Sequence, residues 1–142
     1  ENGSPAGGSF VVEQSGKKVA SGSCAKAVSV PAGSSKVTVR LDGAVDNPAQ
    51  IVEVTVTAGK TSQARVDFKT AVLEVRIETR GQKGTGLVVV EKGGKRIATI
   101  PHGVPARLSA GSYDVVVRLG GEERRTKVDL RPGQRRLVRA QF

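Results

Sequence analysis

Methionine and tryptophan are absent from this 142-residue sequence, and three Phe and one Tyr make up its whole aromatic content. So few ring faces leave little for base stacking, which argues against recognition of single-stranded nucleic acid. Cys24 is the single cysteine, so no intrachain disulfide can brace the fold. It is expected as a small buried apolar residue, with an intermolecular bridge or a reactive thiol as the other readings. His102 is likewise the one histidine; it stands between Pro101 and Gly103 and is expected in a loop. A zinc site built on His and Cys, or a nucleophile driven by histidine, is therefore not expected. No apolar run reaches membrane-spanning length, and no signal peptide or lipidation motif is present in these residues. Nor do carboxylates cluster as general acid–base chemistry needs, so the chain is read as a non-enzyme without cofactor or metal.

What is there is repetition. FVVEQSGKKVA (Phe10 to Ala20) reappears as VVVEKGGKRIA (Val88 to Ala98), and PAGSSKVTVRLDG (Pro31 to Gly43) as SAGSYDVVVRLGG (Ser109 to Gly121), both at an offset of 78. The first copy carries four extra residues near Ala44 to Gln50, after which VTAGKTSQARVDF (Val56 to Phe68) matches LRPGQRRLVRAQF (Leu130 to Phe142) at an offset of 74. A period this long is about the size of a small domain rather than of a solenoid unit. The expectation is two copies of one module, residues 1–70 and 71–142. Only Lys69, Thr70 and Ala71 lie between their strands, without linker composition, so the modules are expected to stand end to end with little freedom.

Abundant Val, 18 Gly and 6 Pro point to strands and turns, hence to an all-β chain. In the second copy, Val72 to Glu78, Gly86 to Lys92, Lys95 to Ile100, Val104 to Leu108, Tyr113 to Leu119, Arg124 to Leu130 and Arg135 to Phe142 each fit an extended segment. Gly93-Gly94, Ala110-Gly111, Gly120-Gly121 and Pro132-Gly133 are the turn signals between them, of the kind that joins antiparallel neighbours. Alternation places Tyr113, Val115, Val117 and Leu119 on one face, with Val37, Val39 and Leu41 as their counterparts. Val128, Leu130, Val138, Ala140 and Phe142 complete the predicted core, matched in the first copy by Val54, Val56, Ala64, Val66 and Phe68. The predicted fold is two tandem Ig-like or prealbumin-like antiparallel β-sandwiches of about seven strands each.

By the offset, Glu1 stands opposite Thr79, so the first copy lacks the strand equivalent to VLEVRIE while keeping its other six. The chain is accordingly read as a piece of a longer polypeptide, and the sheet edge left open predicts self-association.

Several strings imitate known motifs. Ala58-Gly59-Lys60-Thr61 ends like a phosphate-binding loop, but Val54 stands where the loop needs Gly, so it is read as a turn. The stretch Gly81 to Gly86 lacks dinucleotide spacing and is read as a loop. Asp42, Asp46 and Asn47 lack calcium-loop spacing and are read as a solvated turn, and Asn2-Gly3-Ser4 is a glycosylation sequon in form only. Glu13 and its counterpart Glu91 adjoin hairpins and are read as turn chemistry.

Charge carries the most chemical content. Residues 1–70 hold eight basic and six acidic side chains and residues 71–142 fifteen and seven, so the second copy supplies most of the net +10. With Val128, Leu130, Val138 and Ala140 inward, Arg125, Lys127, Arg131, Arg135 and Arg139 are predicted to form a basic ribbon on one face of a hairpin. One reading is a solvated sheet face; the other is a site for a polyanion, such as an anionic glycan, lipid head groups at a membrane surface or nucleic acid.

The strand ending in a GGK hairpin, followed by Ala110-Gly111-Ser112-Tyr113 and an alternating strand, resembles bacterial prealbumin-like and PEGA-like β-sandwich repeats, some of which accompany von Willebrand factor A domains. The first copy departs from it, with Ser35 in place of Tyr113, and the tetrapeptide PEGA itself is missing. The resemblance implies a periplasmic or surface location and a structural, adhesive or scaffolding role. The expected function is a spacer or interaction unit whose partners are other domains of its parent polypeptide or another envelope protein.

Overall fold

The computed structural model describes residues 1–80 and 86–142, so the glycine-rich stretch read as a loop lies, for 81–85, outside the described residues. The described residues form eleven strands: β1 (Gly8–Gln14), β2 (Lys17–Ser23), β3 (Gly33–Leu41), β4 (Ala49–Val56), β5 (Thr70–Glu78), β6 (Leu87–Lys92), β7 (Lys95–Ile100), β8 (Ala106–Ser109), β9 (Gly111–Leu119), β10 (Glu122–Leu130) and β11 (Arg135–Gln141). The fold is all-β and of the β-sandwich type. Two compact units divide the chain. Unit 1 holds Glu1, Gly3–Gly43 and Asn47–Phe68; unit 2 holds Asn2, Ala44–Asp46 and Lys69–Phe142.

Unit 2 is a closed pair of sheets, in the orders β10-β9-β6-β7 and β11-β5-β8. Its core comes from the alternating positions: Leu73 and Val75 from β5, Val90 from β6, Leu108 from β8 and Val115 from β9 are fully buried. Of the predicted core set in this copy, Leu119 and Phe142 are only half-buried. β5 is the strand that makes the second sheet. It pairs in parallel with β11, from Val72 opposite Arg135 to Glu78 opposite Gln141, and antiparallel with β8, from Thr70 opposite Ser109 to Leu73 opposite Ala106.

Two of the four turn signals behave as expected. Gly93-Gly94 joins β6 to β7 and Gly120-Gly121 joins β9 to β10, both as two-residue hairpin turns between antiparallel neighbours. The other two do not. Ala110-Gly111 and Pro132-Gly133 carry the chain from one sheet to the other, because β8 and β11 pair with β5 rather than with β9 and β10.

At the first of these crossings Gly111 has φ +152°, in a region that only glycine occupies at ease, and its counterpart Gly33 has φ +141°. The Tyr113 hydroxyl braces the same corner by donating to the Ser109 carbonyl at 2.7 Å. Burial, with the Asp46 carboxylate adding to it, pushes this hydroxyl from its ordinary 10.0 up to about 12. Because the folded value is the raised one, the stabilisation is complete below pH 10 and is lost as pH rises through 12. As Tyr113 is the only tyrosine, absorbance of the phenolate at 295 nm reads it alone, and a native midpoint near 12 is expected; one near 10 would refute the braced corner.

Unit 1 has one sheet, in the order β2-β1-β3-β4. The expected six strands are corrected to four: the segments matching β8 and β11 are not strands, since residues 26–32 and 60–69 have no ladder. Their counterparts in unit 2 are strands only through β5, which pairs with both. Among the described residues no strand stands between the two segments of unit 1 as β5 does in unit 2, and neither forms a ladder. The predicted core thins accordingly. Val37, Val39, Leu41 and Phe68 are buried, but Val54, Val56 and Val66 are half-buried and Ala64 is exposed. A matched pair shows the difference, with Val37 exposed at 8% against 0% for its counterpart Val115.

Candidate functional site

The predicted basic ribbon is not one surface of a hairpin. β10 and β11 are edge strands of different sheets, so Arg125 and Lys127 belong to one face and Arg135 and Arg139 to another. Most of these cations also have local partners. Arg125 Nη1 meets Glu91 Oε2 at 2.8 Å and its Nη2 lies 3.6 Å from Glu123 Oε1. The hydrogen bond that the guanidinium donates to Glu91 holds its pKa above its already high ordinary value. Arg139 Nη1 meets Glu78 Oε1 at 2.8 Å. Glu74 takes Arg76 at 2.7 Å and Arg135 at 3.6 Å, and the Arg76 hydrogen bond foremost holds its carboxyl below the usual carboxylate range. Lys127 and Arg131 have no ion pair among the described residues, and both are exposed.

Glu91 is thus a cross-strand partner rather than turn chemistry. Arg125 stands opposite Val116, which stands opposite Val89, on the sheet face away from the core. Both valines are buried nonetheless.

The larger feature lies in unit 1. The inner face of its sheet opens on a cleft of about 1220 Å³, floored by Phe10, Val12, Val37 and Val39 and walled by residues 24–30 and 57–68. That exceeds the roughly 300–1,000 Å³ of small-molecule sites. Among the described residues, no backbone hydrogen bond ties 27–30 or 61–66 to another segment. Cys24 lines the cleft and is half-buried, not buried as expected.

The sequence reading missed two devices. Ser35 replaces Tyr113 without leaving the corner unbraced, because Gln14 Nε2 donates to the Pro31 carbonyl at 2.7 Å and to Ser35 Oγ at 2.9 Å. Pro31 is the counterpart of Ser109, and Gln14 that of Lys92, whose ammonium lies 5.2 Å from the Tyr113 ring centre. A side-chain amide here does the work of a phenol. Asp46, read as part of a solvated turn, instead accepts the Ser109 N–H within unit 2, at 3.2 Å to Oδ2. Two other readings are matched by local geometry. Residues 58–59 form a turn, closed by the Lys60 N–H to the Thr57 carbonyl, and His102 sits in a turn where its Nδ1 accepts the Ile77 N–H at 2.9 Å.

This geometry is that of a β-sandwich protein with one closed and one open unit. No family model matches the chain, and no curated protein does. A solved structure, that of the Bacillus anthracis TIE protein, is similar at a TM-score of 0.43 and 15% identity over 95% of this chain. The chain spans 29% of that structure's length.

Proposed function

We propose that the chain is a non-catalytic module that serves as a structural spacer and protein-interaction or adhesion unit of a larger bacterial envelope or surface protein. The observation that carries this reading is the cleft of unit 1, lined among others by the half-buried Phe10, Val30, Val54, Val56 and Val66. A concave surface lined by apolar side chains together with polar groups is the ordinary form of a binding site. Unit 2, closed and densely packed, supplies the rigid element.

An apolar dye that fluoresces on burial tests the accessibility on which this depends. The full chain is expected to bind the dye in unit 1, and Val54→Lys or Val56→Lys, at half-buried positions on the cleft, to weaken uptake at least fivefold. A chain that takes up no dye has no open interaction face, and the reading fails.

A second reading, a polyanion-binding module, is favoured by Lys127 and Arg131, the two ribbon cations without carboxylate partners among the described residues. Its ligand would be an anionic glycan, lipid head groups or nucleic acid. Lys127→Ser with Arg131→Ser is expected to abolish retention on heparin at moderate salt, whereas Arg135→Ser with Arg139→Ser, already paired to Glu74 and Glu78, is expected to change it little. Equal retention of all three proteins overturns this second reading.

A further inference from the structure

The sheet of unit 1 has a second face, turned away from the cleft. Its side chains stand in rows that run across β2, β1, β3 and β4. One row is Lys18, Glu13, Lys36 and Glu53, alternating in sign from strand to strand. The next is Ser21, Val11, Thr38 and Ile51, and the third is Ser23, Ser9, Arg40 and Ala49. Ile51 is 58% exposed, more than any other large apolar side chain among the described residues. No charged residue of the first row has an ion pair among the described residues, whereas Glu91, the counterpart of Glu13, is bound by Arg125.

We propose that this outer face is a contact between two copies of the chain, packed sheet on sheet about a two-fold axis that runs along the strands between β1 and β3. The surface is not the cleft, and the contact goes beyond the reading drawn from it. Such an axis sets β2 over the partner's β4 and β1 over the partner's β3, so that each row faces itself reversed. Lys18 then meets the partner's Glu53, and Glu13 meets the partner's Lys36, each contact being made twice by the symmetry. The other rows set large against small, with Ile51 over the partner's Ser21 and Arg40 over the partner's Ser9. Sheets packed face to face keep their strand directions within about 30° and lie about 10 Å apart, so the rows stay opposed near the axis and long side chains span the gap.

The equivalent row of unit 2 reads Arg96, Glu91, Asp114 and Lys127. Reversed on itself, it sets Arg96 against the partner's Lys127 and Glu91 against the partner's Asp114, and like charges so placed repel. Laid on the row of unit 1, it gives as many repulsive meetings as attractive ones. Only unit 1 on unit 1 is attractive throughout. Strands about 4.8 Å apart and rows about 7 Å apart make the face about 400 Å² on each copy. Two such faces fall short of the roughly 1,200 Å² of a stable complex, so the contact is of the weak class and forms at high protein concentration.

Sedimentation of the full 142-residue chain is expected to pass from monomer to dimer as concentration rises. The dimer is expected to weaken about tenfold between low salt and about 0.5 M, since its ion pairs lie near solvent. Ile51→Lys, at an exposed position outside the core, is expected to weaken it about tenfold by burying a charge against the partner's Ser21. Glu13→Lys and Lys36→Glu each set like charges face to face twice in the dimer, so each protein alone is expected to stay monomeric. Mixed in equal amounts, the two are expected to pair with each other, because every charge in both rows then meets its opposite. Both changes also put like charges side by side within their own sheet, a cost that mixing does not repair. Recovery on mixing therefore reads the contact between copies and not the fold.

A chain that stays monomeric at every concentration overturns the proposal. So does a dimer indifferent to Ile51→Lys, which decides the matter alone if a charge variant does not fold, or a mixture no more associated than its two components. Absence of dye uptake removes the cleft reading and leaves this contact to stand or fall on the dimer.

Discussion

Leu73→Ala is expected to cost unit 2 about 3 kcal/mol, the central range for deleting a leucine from a packed core. The side chain is fully buried, and it projects from the strand that holds β8 and β11 together. The cavity left behind is bounded by fully buried neighbours from both sheets, among them Val90, Leu108 and Val115, so little collapse can relieve it. A loss of that size shifts the thermal midpoint of a domain this small by more than about 10 °C. Tryptophan is absent and Tyr113 is the only tyrosine, so intrinsic fluorescence follows unit 2 alone. Val56→Ala, at a half-buried position of unit 1, is expected to leave that signal unmoved. A Leu73→Ala loss below about 1 kcal/mol would mean that β5 is not the keystone of its sheet.

Gly8→Ala is the second large effect, and it falls on unit 1. A Cβ at Gly8 would stand 2.5 Å from the Arg40 carbonyl oxygen and 3.1 Å from Cys24 Sγ, so either β1 or β3 must shift. Such overpacking typically costs about 1–3 kcal/mol, and a unit with a single sheet has little to set against it. Gly86, its counterpart, is more forgiving. There a Cβ meets the Arg118 carbonyl at 3.1 Å, and its closest contact is the flexible tip of Ile77. The expected result is loss of amide protection across β1 and β3 in Gly8→Ala, and near-native exchange in Gly86→Ala. Equal effects at the two positions would show that the approach to the Arg40 carbonyl is not what demands glycine.

Much of unit 2 was legible in the sequence because its alternation is strict. All seven predicted segments appear as β5 to β11, with boundaries displaced by two residues or fewer, because Val-rich period-two runs leave no competing helical pattern. What the sequence did not show is which strands share a sheet. A turn signal such as Pro132-Gly133 reverses the chain equally well whether the next strand pairs beside the last or crosses to the opposite layer. That ambiguity produced the misplaced ribbon, since parity assigns a side chain to a face of its own strand but not to a common surface with the next. The offset that sets Glu1 opposite Thr79 was visible in the sequence, whereas the lack of a ladder at 26–32 and 60–69 among the described residues was not, because in unit 2 the matching strands depend on β5 lying between them and so on non-local pairing. Cross-strand pairs such as Glu91 with Arg125, 34 residues apart, were illegible for the same reason.

The exchange of a phenol for an amide at the two corners has a consequence for engineering. Lys92 with Tyr113 and Gln14 with Ser35 are each coherent pairs, but a hybrid of Gln14 with a tyrosine at 35 crowds two groups onto the Pro31 carbonyl, and Lys92 with a serine at 113 leaves the Ser109 carbonyl without its donor. A consensus drawn position by position from the two copies would scramble these pairings. The halves are dialects of one design, to be averaged only in whole phrases.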